Sequence, residues 1–357
     1  MFHLKDRTLA EKIVADIKER DMHLRFMHVC GTHQDTLVKH GLDSLFKECG
    51  IEIRQGPGCP VCVTTPKEIE KMLCLARDDK IVTSFGDMIN VPGETESLRD
   101  LAGEGHDIRM VYSIEDAVKI ADDNPERDVV FMAIGFETTA PTTASVMLTE
   151  VPSNFSILSC HRLIPPALKA VLDMGELKID GFIEPGHVAT IIGVAPYEFV
   201  SDGYGVPQVI AGFEPIDLLM AIWMLVQQIE QKKAAVENEY SRIVQHEGNI
   251  QALTVLEKVF TPVDSKWRGF PTIPNSKLSL KKKFEDHNAE KLFEDELQRI
   301  EEKEFAEPKG CRCGEVLRGL ISSQECPLFG TRCVPSNPVG PCMVSAEGSC
   351  NIEYRYS

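Results

Sequence analysis

The first two thirds of the chain alternate short apolar runs with amphipathic segments. Each apolar run is rich in β-branched residues and ends at a turn of Gly, Pro or small polar residues. This alternation is typical of α/β proteins with parallel strands. It predicts strands at 24–29, 51–54, 81–85, 107–112, 128–134, 155–159, 180–183 and 207–211. A single barrel of parallel strands has the same strand number, so the pattern alone leaves both topologies open.

Helix starts are marked by capping chemistry. Thr65 supplies an N-cap hydroxyl, Pro66 suits the first helical position, and Glu68 completes a capping box. The longest helical pattern covers 215–233, and its apolar first half predicts burial. Further along, the pattern changes to a turn-rich stretch and then, at 281–307, to a charged run that predicts a solvated helix.

Composition narrows the class of protein. The 357 residues are 43% hydrophobic, which is enough for about two or three domains with apolar cores. A net charge of -17, from 38 basic and 55 acidic side chains, opposes binding to nucleic acid. The sequence has neither a signal-peptide pattern nor the ~18 to 20 apolar residues of a membrane span. We therefore expect a cytoplasmic protein without nucleic-acid or membrane partners.

The 12 cysteines form two groups. In a reducing compartment, metal binding or catalysis is a better expectation for them than structural disulfides. Six lie in a Gly- and Pro-rich tail, where sequence-distant sulfurs can converge on an iron–sulfur cluster. Structural zinc is the alternative, but the tail lacks paired C-x-x-C knuckles. The predicted cluster ligands are the four that recur at similar intervals, Cys326, Cys333, Cys342 and Cys350.

The N-terminal cysteines lie in turns after predicted strands. Cys59 and Cys62 form C-P-V-C, a spacing that allows a redox-active disulfide or half of a zinc knuckle. Cys30 ends a strand with His33 three residues on, so its thiolate could bind a soft metal or attack an electrophile. Other strand-end candidates for binding or orienting a ligand are Asp87, Glu137, His187 and Glu214. The cysteines interpreted as packing are Cys49, Cys74 and Cys160.

An ordered series of motifs extends over nearly the whole chain. The motifs are CGTH at 30–33, GPGCPVC at 56–62, FGDM at 85–88, VPG at 91–93, GFETTAP at 135–141, PGHV at 185–188, GFEP at 212–215 and the cysteine-rich tail at 326–350. Together these motifs resemble the hydrogenase maturation factor HypD family. The resemblance implies a fold of two doubly wound parallel-sheet domains plus a small cysteine-rich iron–sulfur domain. We assign these to 24–122, to 123–248, and to 1–23 with 249–357.

The same resemblance implies a role in building the Fe(CN)2CO unit of nickel-iron hydrogenases. The implied partners are a HypC-type chaperone, which shares the iron, and a HypE-type protein that delivers cyanide from a thiocyanate. Cys30 then binds the iron beside His33, and Cys59 and Cys62 are a redox-active pair connected to a 4Fe–4S cluster. Such a protein is an assembly scaffold with redox activity rather than a conventional turnover enzyme, and Glu137 is a further candidate of its site.

Two positions depart from the family pattern. Gln34 stands where the motif usually continues with glutamate, and Asn90 stands where arginine is common. Neither position is a proposed ligand, although both could alter partner contacts or anion handling. The alternative function is an iron–sulfur-dependent thiol/disulfide oxidoreductase acting on another protein or a small molecule, and a third possibility is a zinc-stabilised interaction protein.

Overall fold

The computed structural model describes residues 4–356, and it confirms an α/β fold with two parallel sheets and a cysteine-rich region. All of the strands predicted from periodicity are present, and three further strands follow them. The strands are β1 Leu24–His28, β2 Ile51–Gln55, β3 Ile81–Ser84, β4 Ile108–Met110, β5 Val129–Gly135, β6 Phe155–His161, β7 Gly181–Pro185, β8 Gln208–Ala211, β9 Val236–Asn238, β10 Phe260–Lys266 and β11 Thr272–Leu280.

Nine of these strands form two open sheets in which every pair is parallel. The first sheet has the order β2-β1-β7-β8-β9, and the second has the order β4-β3-β5-β6. Open sheets exclude the single barrel. The chain leaves the first sheet after β2, builds the whole second sheet, and returns with β7. The ranges 24–122 and 123–248 therefore each supply strands to both sheets, so the predicted boundary between them does not divide the sheets.

Helices cover both faces of the two sheets. They are α1 Leu4–Glu19, α2 Gly31–Lys39, α3 Leu42–Glu48, α4 Pro60–Val63, α5 Pro66–Arg77, α6 Gly86–Ile89, α7 Leu98–Gly103, α8 Ile114–Asp122, α9 Ala140–Met147, α10 Ile164–Met174, α11 Gly186–Ile192, α12 Glu198–Tyr204, α13 Pro215–Glu230, α14 Ile250–Val259, α15 Ala289–Leu292, α16 Glu294–Glu301, α17 Cys313–Leu317, α18 Pro341–Val344 and α19 Ser349–Tyr356. Three 3₁₀ helices cover Ala195–Tyr197, Lys282–His287 and Ser323–Glu325. Within residues 4–356, no helix combines the length and the apolar character needed to cross a bilayer.

Several helix predictions are confirmed in detail. Thr65 caps α5 and forms the predicted capping box with Glu68, and α13 buries much of its apolar surface. The charged run at 281–307 is not one helix, because it divides into a 3₁₀ helix, α15, α16 and irregular chain. The turn-rich stretch before it contains the antiparallel hairpin of β10 and β11, which the sequence pattern did not predict.

Alternation along the strands separates three apolar cores. Met27 and Phe182 of the first sheet share one buried cluster with Val130 and Met132 of the second, and we call this cluster the interior core. The other faces pack outward, the second sheet against α8, α9 and α14 and the first sheet against α1 and α13. Because both sheets contribute to the interior core, loops at their carboxyl edges are held close to one another.

Candidate thiol and metal centre

The predicted motif loops lie where the strand order of each sheet reverses. In the first sheet β1 and β7 are neighbours at this point, and Cys30 and His187 follow them. In the second sheet β3 and β5 are the neighbours, and Asp87 and Glu137 follow them. Open parallel sheets bind ligands in the crevice that such a reversal creates at the carboxyl ends of the strands. The motifs therefore occupy the positions where this fold can form a site.

The Cys30 turn is packed directly against the loop that carries C-P-V-C. Cys30 is the N-cap of α2 in an extended conformation, and its side chain is buried. The Gly31 amide donates a hydrogen bond to the carbonyl oxygen of Gly58 at 3.2 Å. Gly58 has no room for a side chain, since a Cβ there would come within 2.2 Å of the Cys30 nitrogen. Glycine at this position is thus required for the close approach of the two motifs.

Cys59 and Cys62 are joined by a disulfide, with their Cα atoms 5.2 Å apart. The amide of Cys62 donates to the Cys59 sulfur at 3.2 Å, and both side chains are fully buried. The short helix α4, which contains Cys62, packs against α17 and α18 of the cysteine-rich tail. The disulfide therefore lies between the Cys30 turn and the tail.

The tail cysteines surround one small cavity. Its lining includes the four predicted ligands Cys326, Cys333, Cys342 and Cys350, and also Cys311 and Cys313. In the described part of the chain, no three His, Cys, Asp or Glu side chains converge as the ligands of a single ion would. A 4Fe–4S cluster instead takes one thiolate at each of four irons, so its ligands stand around a volume. Six thiols around one cavity fit that requirement and offer more donors than one cluster needs.

The end of the tail also contacts the Cys30 turn and the second sheet. A Cβ on Gly31 would come within 2.5 Å of the Glu347 Cβ, so the two backbones are in direct contact. The amide of Ala346 donates to the Asp87 Oδ2 at 2.9 Å. One short segment of the tail thus touches the strand-end motifs of both sheets.

His33 is fully buried in the first turn of α2. Its Nε2 donates to the carbonyl oxygen of Gly212 at 2.9 Å, and its Nδ1 has no partner within residues 4–356. Burial lowers the pKa of His33 to about 3, so the ring is neutral near pH 7. A neutral imidazole with an unpaired Nδ1 next to a cysteine can accept a hydrogen bond or bind a soft metal.

Gln34 takes part in a buried hydrogen-bond chain that leads to Cys30. The Cys30 amide donates to His28 Nδ1 at 3.5 Å, which leaves His28 Nε2 to donate to Gln34 Oε1 at 2.8 Å. The Gln34 amide group then donates to Glu353 Oε1 of α19 at 2.9 Å. Burial lowers the pKa of His28 to about 4. The neutral Gln34 is a matched acceptor for a neutral His28 and links the Cys30 turn to the last helix.

The Cys30 thiol carries its proton in the metal-free protein. Burial raises the pKa of Cys30 to about 11, although the backbone amides of His33 and Thr32 partly offset this effect. The thiolate is the form that binds metals, so metal binding here requires loss of a proton. The bound metal itself favours this loss, because a coordinating thiol is deprotonated.

The remaining polar candidates lie in different surroundings. Glu137 is buried, and its Oε1 accepts from the Ile164 amide at 2.9 Å while burial raises its pKa to about 7. His187 stacks on Phe213 with ring centroids 3.7 Å apart. Glu214 is the exposed N-cap of α13 and forms a capping box with Asp217.

The three cysteines interpreted as packing lie away from the tail cavity. Cys49 is in the core outside the first sheet, and Cys74 donates to the Glu296 carbonyl oxygen at 3.4 Å. Cys160 lies in β6, and burial raises its pKa. None of the three lines the tail cavity.

Sequence reasoning did not select two buried polar residues of this region. Glu184 lies in β7, in the otherwise apolar segment GFIEP, and an acid inside a buried strand is a signal that could have identified it. Tyr197 ends a 3₁₀ helix and carries no recognisable motif. Both side chains are fully buried.

The fold and the site define a thiol-rich α/β protein suited to soft-metal and redox chemistry. A strand-end cysteine, a disulfide and a cavity of six thiols lie side by side at the carboxyl edges of two parallel sheets.

Comparison with known proteins identifies the family within this class. The family model described as HypD, hydrogenase formation hypA family, matches residues 5–357. The hydrogenase maturation factor HypD2 of Bradyrhizobium diazoefficiens is 42% identical over 360 residues, which cover 98% of this chain and 93% of that protein. The HypD proteins of Cupriavidus necator and Escherichia coli are 41% and 39% identical, over 99% and 97% of this chain and 95% and 94% of their own lengths. The chain belongs to the HypD family of hydrogenase maturation factors.

Proposed function

We propose that the chain is the scaffold on which the Fe(CN)2CO unit of nickel-iron hydrogenases is assembled. Cys30 binds the iron as substrate, together with a HypC-type chaperone, and a HypE-type protein delivers cyanide as a protein thiocyanate. The Cys59 and Cys62 pair provides the electrons for release of cyanide. The observation that carries this proposal is the position of the disulfide, which lies against the Cys30 turn on one side and against the tail helices on the other.

The chemistry of cyanide release explains why a thiol pair is needed. Cleavage of the sulfur–carbon bond in R–S–CN takes up two electrons and one proton and gives R–SH and cyanide. Oxidation of the Cys59 and Cys62 dithiol to the disulfide supplies two electrons and two protons, so one proton is left over. In this proposal, the disulfide between Cys59 and Cys62 corresponds to the oxidised state that the step leaves behind.

The cysteine-rich tail is suited to restoring the dithiol. We propose that four of its six thiolates, predicted as Cys326, Cys333, Cys342 and Cys350, hold a 4Fe–4S cluster. Such a cluster supplies single electrons. The disulfide would accept these electrons, and it lies close to the cavity, since α4 with Cys62 packs against α17 and α18.

Burial of the disulfide favours the scaffold over a general disulfide reductase. The side chains of Cys59 and Cys62 have no exposed surface. A protein disulfide cannot reach either sulfur in this conformation, whereas a reductase must form a mixed disulfide with its substrate. Reductive cleavage of a thiocyanate that a partner brings to the Cys30 turn needs two electrons from this pair but no lasting mixed disulfide with a protein substrate.

The test is anaerobic co-purification with a HypC-type chaperone followed by infrared spectroscopy. We expect cyanide and carbon monoxide bands from the wild-type complex and none from Cys30→Ala. Cys74→Ala is the matched control, because Cys74 lies away from the site, and it should keep the bands. Absence of bands in wild type, or their persistence in Cys30→Ala, would contradict the proposal.

Metal analysis of the same preparations tests the tail separately. For the cluster we expect about four irons and four sulfides per chain, in addition to the iron of the Fe(CN)2CO unit in the complex, and Cys326→Ser should lose the sulfide and the cluster's share of the iron. Colourless protein with stoichiometric zinc and no iron would instead support a zinc-stabilised interaction protein.

A further inference from the structure

Three buried side chains near the Cys30 turn, two glutamates and a tyrosine, have oxygens without partners among residues 4–356. Neither carboxyl oxygen of Glu184 makes a hydrogen bond with any described residue, and neither does the Tyr197 hydroxyl. Glu137 Oε2 likewise has no partner in the described part of the chain, although its Oε1 accepts from the Ile164 amide. Buried polar groups are almost always hydrogen-bonded, so several such atoms in one region indicate a missing polar partner.

Strand register places Glu184 on the interior side of the first sheet. β1 and β7 pair Met27 with Phe182, and both side chains belong to the interior core. Side chains alternate along a strand, so Glu184 points to the same side as Phe182. Its partner on β8 is Ile210, which is also an interior-core residue. Glu184 therefore faces the space between the sheets from β7, the neighbour of β1, and Cys30 lies in the turn that follows β1.

Tyr197 approaches the same space from the 3₁₀ helix Ala195–Tyr197. Its ring is part of the interior core. Burial raises the pKa of the hydroxyl, and three nearby groups raise it further: Glu184, Glu137 and Cys30. Glu137 belongs to the loop after β5, so side chains from both sheets and from a connecting helix surround one buried region beside Cys30.

The unpaired oxygens are suited to donating hydrogen bonds. A tyrosine hydroxyl is an O–H donor, and a carboxyl group in an apolar interior keeps its proton and becomes one. Burial accordingly raises the pKa of Glu184 well above its usual range. Neutral O–H donors match a small ligand that accepts hydrogen bonds at its outer end. The nitrogen of an iron-bound cyanide is such an acceptor, whereas carbon monoxide is a much poorer one.

We propose that Glu184 and Tyr197 donate hydrogen bonds to a cyanide nitrogen of the iron unit held at Cys30. This inference rests on the proposed function and assigns the residues that bind and orient one of its ligands. It also gives a role to buried side chains that no motif analysis selected. The two donors favour cyanide over carbon monoxide at the coordination position that faces the interior core.

Infrared spectra of three variants in complex with the HypC-type chaperone test the proposal. Tyr197→Phe and Glu184→Leu remove a donor, so each should shift a cyanide stretch to a position resolved from that of wild type. Glu184→Gln restores an N–H donor and should bring the band back toward the wild-type position. The carbon monoxide stretch should move less than the cyanide stretch in every variant.

A matched control and a second measurement make the outcome decisive. Tyr204→Phe removes a surface hydroxyl that donates to Asp173, and its spectrum should equal that of wild type. Unchanged cyanide bands in Glu184→Leu and Glu184→Gln would overturn the proposal even if Tyr197→Phe fails to fold. Mass spectrometry showing a stoichiometric cation, lost in Glu184→Gln, would overturn it in favour of a cation site. Failure of the proposed function differs from both results, since wild type would then show no bands at all.

Discussion

The two sheets have the same architecture but carry different chemistry at their carboxyl edges. In the first sheet the reversal between β1 and β7 is followed by a thiol and imidazoles, Cys30, His33 and His187. In the second sheet the reversal between β3 and β5 is followed by carboxyl groups, Asp87 and Glu137. The fold therefore provides two equivalent positions, and the residues at each decide whether that position suits a soft metal.

The second sheet shows what the equivalent edge does without a metal-binding thiol. Asp87 holds the tail through the Ala346 amide, and Arg162, just after β6, forms a buried ion pair with Glu68 of α5. These contacts fix the tail and α5 in place, and the Cys59 and Cys62 disulfide lies directly before α5 in the chain. In the proposed function, the first edge carries the chemistry and the second edge supports it.

The largest expected effect comes from substituting Cys59, with a buried cysteine of the second sheet as the comparison. Cys59→Ser removes the two-electron thiol couple, so the HypC-type complex should lose its cyanide bands completely. Cys160→Ser changes a buried cysteine of the second sheet and should keep them. Infrared spectra and a titration of free thiols under reducing conditions measure both results. Loss of the cyanide bands in both variants would contradict the predicted difference between the two sheets.

The buried ion pair gives the next largest effect, and it concerns stability. Arg162 donates to both carboxyl oxygens of Glu68 at 2.7 Å. Arg162→Met leaves Glu68 buried without this partner and should lower the free energy of unfolding by about 3 to 5 kcal/mol. Arg7→Met breaks an exposed pair with Glu11 and should cost about 1 kcal/mol or less. Denaturant unfolding at pH 7 compares the two variants. Equal losses of stability would contradict the conclusion that the buried pair contributes more than the exposed pair.

The same pair predicts a pH dependence. Burial alone would raise the pKa of Glu68, but Arg162 and Lys277 outweigh it and lower the pKa to about 2. A carboxyl group with a lowered native pKa stabilises the fold fully above its unfolded value of about 4.3. That contribution should decline as the pH falls from about 4.3 toward 2. In Arg162→Met, the free energy of unfolding measured across this pH range should lose most of its pH dependence.

The sequence predicted the parallel strands β1 to β8, most of which are buried apolar runs bounded by turns; β4 is an exception, with three residues that are partly buried or exposed. The sequence did not predict β9, a three-residue edge strand, or the hairpin of β10 and β11, whose outer positions are polar and include Pro262. The strand order could not be predicted either. The parallel strands have similar apolar sequences, and their neighbours depend on how the connecting segments pack. Cys30 and Glu137 could be selected as site candidates because they lie in turns that follow strands. Glu184 was not selected because it lies inside a strand, where the apolar pattern indicates a core position.

Close packing of the tail against the Cys30 turn predicts a smaller effect on stability. Gly31→Ala brings a Cβ against the Glu347 backbone and should cost about 1 to 3 kcal/mol while loosening the tail. Gly103→Ala is the control, because its Cβ meets nothing within 4 Å, and its stability should be nearly unchanged. Hydrogen exchange of the segment around Glu347 reports the loosening. Equal exchange in both variants would show that the tail does not depend on this contact.

The smallest expected effect tests whether the second edge only supports the first. Asp87→Ala removes one acceptor for the Ala346 amide, a loss of about 1 kcal/mol. Asp87→Asn keeps an acceptor oxygen at the same place, so hydrogen exchange of the Ala346 amide should be almost as slow as in wild type. If the charge of Asp87 itself took part in the chemistry, Asp87→Asn would instead resemble Asp87→Ala in infrared spectra of the complex. Native-like cyanide bands in Asp87→Asn would confine the metal chemistry to the first sheet.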